Sequence, residues 1–299
     1  MGNSQSISPS NSPPELAYDF PAITFADNVA AQYQLVTSGL GVTHVRAVLG
    51  WSMGAGQSFQ WAVQYPDFMD AIIPYAGAAK TSIHNNVFLE GQKSYLAVAR
   101  GGISNGIGKG QTFARPGPWT AEEKRIGLKA FARGYAGWGF SQTFYREELF
   151  KELGFRDVEH FIAVVWEDWF AAKGTCVRLE MQLIRHQRSS ISDPDDLLVL
   201  LQTWQLGDIS AGDRFHGDFP AALKSIRAKT LVMPSQTDLY FPPADSRFEV
   251  ENMSPGVGTL REIPSKLGHF AGAPALKDWG LLHGSIVDFL NQVESDLQK

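Results

Sequence analysis

The stretch VRAVLGWSMGAGQSFQWAVQYPD, residues 45–67, decides how the rest of the chain is read. A β-branched run, Val45 and Val48, ends in Leu49 and Gly50, and the residues from Ala55 to Tyr65 read as a helix that closes before Pro66. Only a very tight turn fits between the two, and it carries Ser52 inside G-W-S-M-G. Such G-x-S-x-G spacing puts a serine on a strained strand-to-helix turn with its hydroxyl clear of the sheet, and Gly50 and Gly54 leave room where larger residues would collide. A serine hydroxyl is a weak nucleophile on its own. It needs a histidine base, which in turn needs a carboxylate to fix its tautomer.

In this architecture the carboxylate and the histidine follow the serine in that order, each in a loop just after a late strand. Both are present. The strand-like Leu231-Val-Met leads into PSQTDLYFPP with Asp238, and Leu260-Arg-Glu-Ile leads into PSKLGHFAG with His269, 31 residues further on, which is room for a helix and a strand. Competing readings exist for each residue: a buried turn serine, a turn aspartate bonded to its own backbone, a core histidine. Three residue types in the right order at three strand ends favour the triad. The first backbone donor to a tetrahedral oxyanion is then Met53 N–H, next after the nucleophile. Asn85, Asn86 and Glu90 follow the second strand, and the asparagines read as helix caps.

Composition narrows the function classes. The chain has 299 residues, 44% of them hydrophobic and 19% charged, enough for one large domain or a domain with an inserted cap. A net charge of -5 gives no basic stripe for phosphates, so neither nucleic acid nor an anionic membrane surface is an expected partner. The single cysteine, Cys176, precludes an intrachain disulfide framework and reads as an inert thiol. With no leader-like start and no apolar run of roughly 18 residues, a cytoplasmic location is the expectation. The internal Ser265-Lys266-Leu267 is not at a C-terminus and is no peroxisomal address. No H-E-x-x-H or Cys-x-x-Cys occurs, so no metal and no bound cofactor are expected.

The remaining pattern alternates strand and helix. Residues 1–14 are polar and proline-rich and read as loop; Thr24 and Asp27 form a capping-box start to a helix carrying Val29, Tyr33, Val36 and Leu40 on one face. A second strand at Met69–Tyr75, a helix from His84 to about Ala99, late strands at Thr230 and Thr259, and a closing helix from Gly280 to Val293 predict a parallel sheet covered on both faces. The glycine-rich run 101–118 lacks the spacing of a phosphate loop, because Ile103 and Gly110 stand where Gly and Ser or Thr would be needed. Residues from Trp119 to about Leu206 are helical and dense in aromatics. The division expected is 1–118, the first part of the core with the serine turn; 119–210, a helical cap; and 211–299, the rest of the core with the acid and histidine loops.

The stretches GWSMGAGQSFQWAVQYPD, AAKTSIHNNVFLEGQKS, YAGWGFSQTFYREELF, LVMPSQTDLYFPPADS and SKLGHFAG resemble the α/β-hydrolase fold and, within it, the homoserine O-acetyltransferase-like family, particularly its fungal members. The resemblance runs from about Asn3 to His269. It implies a Ser52 nucleophile, an orienting Asp238 and a His269 base, with an acyl-enzyme formed from an ester, thioester or acyl-CoA such as acetyl-CoA and passed to water, an alcohol or an amine. It also implies a helical cap over the active-site mouth and a role in a biosynthetic or secondary-metabolite pathway. Members of the family carry roughly four strands before the point matching Met1, and one of those loops holds the second oxyanion donor. The expectation is therefore an N-terminally shortened sheet with a bare edge that leaves room for a homodimer. The alternative reading is a weakened or inactive remnant that serves as a folded partner. The segment KGTCVRLEMQLIRHQRSSI, 173–191, has no counterpart in the family pattern.

Overall fold

The strand expected ahead of Ser52 forms over Val45–Trp51 (β1) and pairs in parallel with Met69–Tyr75 (β2), Val45 opposite Met69 and Trp51 opposite Tyr75. This computed structural model describes residues 6–17, 19–113, 117–171, 192–273 and 278–298. Cys176 and the unmatched segment 173–191 lie outside them. Two short strands, Ile103–Ser104 (β3) and Gln111–Thr112 (β4), make a separate antiparallel pair, and Lys229–Val232 (β5) and Gly258–Leu260 (β6) return to the main sheet. The main sheet is parallel throughout, in the order β1-β2-β5-β6.

Contacts divide the chain into a sheet unit, Thr24–Thr81 with Gly139–Thr143 and Gly207–Lys299, and a helical unit, Met1–Ile23 with Ser82–Trp138 and Phe144–Leu206. The helical unit thus takes in more than the 119–210 read from the sequence. One reason is the buried Lys93 on the helix Ile83–Val98, whose ammonium donates to Glu90 Oε1 at 2.8 Å, to Gln205 Oε1 at 3.0 Å and to the Lys109 carbonyl at 2.9 Å. The Gly106 carbonyl lies within reach as well, at 3.3 Å, so each of the three N–H donors has an acceptor and the buried charge is satisfied. The same bond holds the glycine-rich run, which carries the β3–β4 pair and is not wholly loop. The N-terminal residues also turn helical at Pro9–Asn11 and Pro14–Ala17, and Ser10 bonds through N and Oγ to Asp196 on the helix Pro194–Gln205.

Within the sheet unit, alternate residues of the central strands feed two cores. Ile72 and Val232 join Val29, Phe59, Ala62 and Leu223 on one face, while Ile73, Leu231 and Met233 join Leu282, Ile286, Phe289 and Leu290 of the closing helix Trp279–Leu297 on the other. Both faces are covered, as the alternation of elements predicts. Burying one such Ile or Leu contributes roughly 1.5–3 kcal/mol. β1 is different: among the described residues it has a neighbour on one side only, and Leu49 is half exposed. The helix Phe25–Gln34 starts with the expected capping box, Thr24 Oγ1 accepting from Asp27 N while Asp27 accepts from Thr24 N. A π-helical turn at Leu35–Gly39 then rotates the chain, so Leu40 leaves the buried face on which the sequence places it. At the helix Ile83–Val98 the cap is Ser82, which accepts from Asn85 N, and not an asparagine. No helix among the described residues is long and apolar enough to cross a membrane.

One buried acid sets a pH dependence. Glu249, on the helix Pro243–Glu251, accepts from Ala79 N through Oε1, and Oε2 meets no donor among the described residues. Burial pushes its carboxyl up from the usual 4.5 to about 8; the Ala79 bond opposes the rise and the charge of Asp245 adds to it. The folded state therefore holds a proton that the unfolded chain releases, and stability falls as pH rises from about 4.5 to about 8. Thermal unfolding across this range is expected to show that fall in the wild type and a flatter profile in Glu249→Gln.

Candidate active site

The β1 ladder runs one residue past the strand, where Ser52 N donates to the Tyr75 carbonyl at 3.1 Å. Ser52 then adopts φ 60° and ψ -126°, and the helix Met53–Gln64 starts at the next residue. A side chain with a Cβ is strained in this region by about 1–3 kcal/mol, which the surrounding packing must hold. Gly50 explains how. A Cβ there would lie 2.0 Å from the Gly54 carbonyl and 2.6 Å from Ser58 Oγ, so strand and helix approach to a distance that only glycine allows. Gly54 differs from the expectation, since a Cβ on it would meet nothing within 4 Å. The second close approach falls instead at Gly77, just past β2, where a Cβ would lie 2.4 Å from the Ser52 carbonyl and 2.5 Å from Ala55 Cβ.

The structure brings Ser52, Asp238 and His269 together. Ser52 Oγ lies 2.9 Å from His269 Nε2, and His269 Nδ1 lies 2.8 Å from Asp238 Oδ2. All three are buried. The other carboxylate oxygen of Asp238 accepts from Tyr240 N at 2.8 Å and from Phe241 N at 3.3 Å, which fixes the carboxylate plane. An ionised acid on Nδ1 selects the tautomer with Nδ1–H, leaving Nε2 to accept the serine proton. Met53 N–H is the first amide of its helix and has no acceptor inside it, so it is available to an oxyanion beside Ser52 Oγ.

Several supporting residues escaped sequence reasoning. Thr237 Oγ1 donates to the Ser265 carbonyl at 2.8 Å and accepts from Gly268 N at 3.1 Å, joining the acid loop to the base loop. Gly268 has φ 64°, and a Cβ there would lie 2.7 Å from Ser141 N, while Ser141 Oγ donates to the Lys266 carbonyl at 2.5 Å. The segment Gly139–Thr143 therefore belongs with the histidine loop although it lies between helical-unit residues in sequence. Asp238 and His269 were visible from strand-end position; these supports have no local pattern that marks them. Trp51 also contacts His269, through ring and indole nitrogen alike.

Substitution at the glycines should separate the two steric roles. Gly50→Ala and Gly77→Ala are expected to lower thermal stability by several kcal/mol or to prevent folding, whereas Gly54→Ala should cost under about 1 kcal/mol or stabilise its helix. Calorimetric unfolding of the three variants measures this.

No family model matches the chain. It is 31% identical over 273 residues to the ethyl acetate hydrolase of Pseudomonas veronii, spanning 90% of this chain and 69% of that one. It is 29% identical to the homoserine O-acetyltransferase of Symbiobacterium thermophilum over 97% of this chain and 70% of the relative. Among solved structures, an acetylester hydrolase from Corynebacterium glutamicum superposes with a TM-score of 0.75 at 29% identity, over 99% of this chain and 73% of its own.

Proposed function

The chain belongs to the α/β-hydrolase family of these esterases and homoserine O-acetyltransferases, and from that premise we propose that Ser52, Asp238 and His269 are the nucleophile, orienting acid and base of acyl transfer from a short-chain acetyl-type ester. It is an α/β-hydrolase-type enzyme with a serine-hydrolase or acyltransferase function. The observation that carries the catalytic assignment is the unbroken relay of 2.9 Å and 2.8 Å from Ser52 through His269 to Asp238, at a serine held in a strained turn.

The steps follow from the geometry. As Ser52 Oγ forms its bond to the substrate carbonyl carbon, its proton moves to His269 Nε2, and the imidazolium is stabilised by Asp238 on Nδ1. The carbonyl oxygen becomes an oxyanion within reach of Met53 N–H at the positive end of its helix. Collapse breaks the ester C–O bond, and Nε2 returns the proton to the departing alcohol. The acyl-enzyme then meets a second nucleophile, from which His269 removes a proton. Water gives a free acid; an alcohol gives a new ester. The small acyl group is read from the hydrolases of ethyl acetate and acetyl esters among the relatives. The homoserine O-acetyltransferase relative supports an alcohol acceptor as the second reading, with an acyl-CoA as donor and a biosynthetic setting.

Intact-mass measurement after exposure to a fluorophosphonate probe is expected to show one adduct on the wild type and none on Ser52→Ala. Turnover of p-nitrophenyl acetate should fall at least about a thousandfold in that variant with its circular dichroism unchanged. Wild-type turnover in Ser52→Ala, or a folded wild type that takes no label, overturns the assignment and leaves the non-catalytic remnant. An ester product formed when an alcohol is added would assign acyl transfer over hydrolysis.

A further inference from the structure

Trp51 ends β1 one residue before the nucleophile, and its side chain makes two distinct contacts to His269. The indole stacks on the imidazole, with ring centroids 5.0 Å apart and planes inclined by 24°. Its Nε1–H also donates to the His269 carbonyl at 3.2 Å. The ring further meets Phe270 at 5.9 Å. Yet Trp51 is 37% exposed, so it leaves a good part of a large apolar surface in water.

The imidazole has three further ring neighbours: Tyr240 edge-on at 4.9 Å and Phe241 tilted at 5.6 Å from the acid loop, and Phe270 edge-on at 6.2 Å from its own loop. Among the described residues, the titratable groups in contact with the ring are Asp238 and Tyr240, together with Ser52 itself. Trp51 is therefore the group that fixes the ring from the nucleophile's own strand. Its π face, stacked on the imidazole, attracts a ring that carries positive charge. Its indole N–H holds the backbone of the same residue, so rotation of the ring and drift of the loop are both resisted.

Resting on the triad reading above, we propose that Trp51 is a positioning residue for acyl transfer: it holds the His269 ring between Ser52 and Asp238 and favours the imidazolium that forms when Nε2 takes the serine proton. No proton passes through Trp51. The proton leaves Ser52 Oγ for Nε2 as the Oγ–C bond forms and goes on to the leaving oxygen, with the indole as a bystander that stabilises the charged ring.

The test is the rate of fluorophosphonate labelling of Ser52, resolved into the maximal inactivation rate and the half-saturating probe concentration. Trp51→Leu keeps apolar bulk but has neither π face nor N–H. Trp51→Phe restores the face alone. Leu is expected to lower the maximal rate about tenfold or more and to change half-saturation less than twofold, because it can neither stack on the ring nor hold the loop. Phe should give a maximal rate between the two. A labelled wild type matched by Trp51→Leu in maximal rate overturns the role of Trp51 alone. So does an effect confined to half-saturation, or a Phe variant no better than Leu. If the folded wild type itself takes no label, the triad reading fails first, and this proposal with it.

Discussion

The close approach of Gly50 to the Gly54 carbonyl is the contact on which the site depends. A strand and the helix that follows it cannot ordinarily share so little space, because a Cβ on the strand would penetrate the first helical turn. Removing that one atom lets the chain reverse at a single residue. The cost is concentrated at Ser52, which takes a backbone conformation foreign to serine. The parallel pairing of β1 with β2, continued by the Ser52 amide on Tyr75, and the seating of Gly77 against the Ser52 carbonyl hold it there. Ser52 Oγ and the first amide of the helix then stand side by side without any adaptable loop between them.

Much of this was legible before any coordinates. The β-branched run before Gly50, the late strands before Asp238 and His269 and the capping box at Thr24 are short-range signals, and each element formed where its local chemistry placed it. The parallel sheet with both faces covered followed from the alternation of elements. What stayed hidden was set by tertiary approach. Gly77 looks like any loop glycine until Ser52 packs against it, and Gly54, which the motif singles out, has open space around it. Ser141 sits in a helical, aromatic-rich stretch and yet bonds the loop of the base. No periodicity could announce that.

The helical unit shows the same limit from another side. Its aromatics read correctly as interior, Phe131, Phe144, Phe161 and Trp166 being buried. Its polar anchor is Lys93, and lysine rarely sits inside unless every proton finds an acceptor. Those acceptors come from three separate places, Glu90 one turn back, Lys109 in the glycine-rich run and Gln205 on a distant helix. The run that superficially suggests a phosphate cradle is thus occupied in binding its own lysine.

Thr237 gives the site a mechanical character. One hydroxyl bridges the acid and base loops, donating to Ser265 O and accepting from Gly268 N, while the adjacent Asp238 holds the imidazole. Asp238 and His269 are therefore mounted on a common frame, whereas Ser52 stands on the turn that ends β1. Trp51 ties that frame back to β1 through the His269 carbonyl and ring, so the gap between His269 Nε2 and Ser52 Oγ is spanned by a side chain from the strand that leads into Ser52.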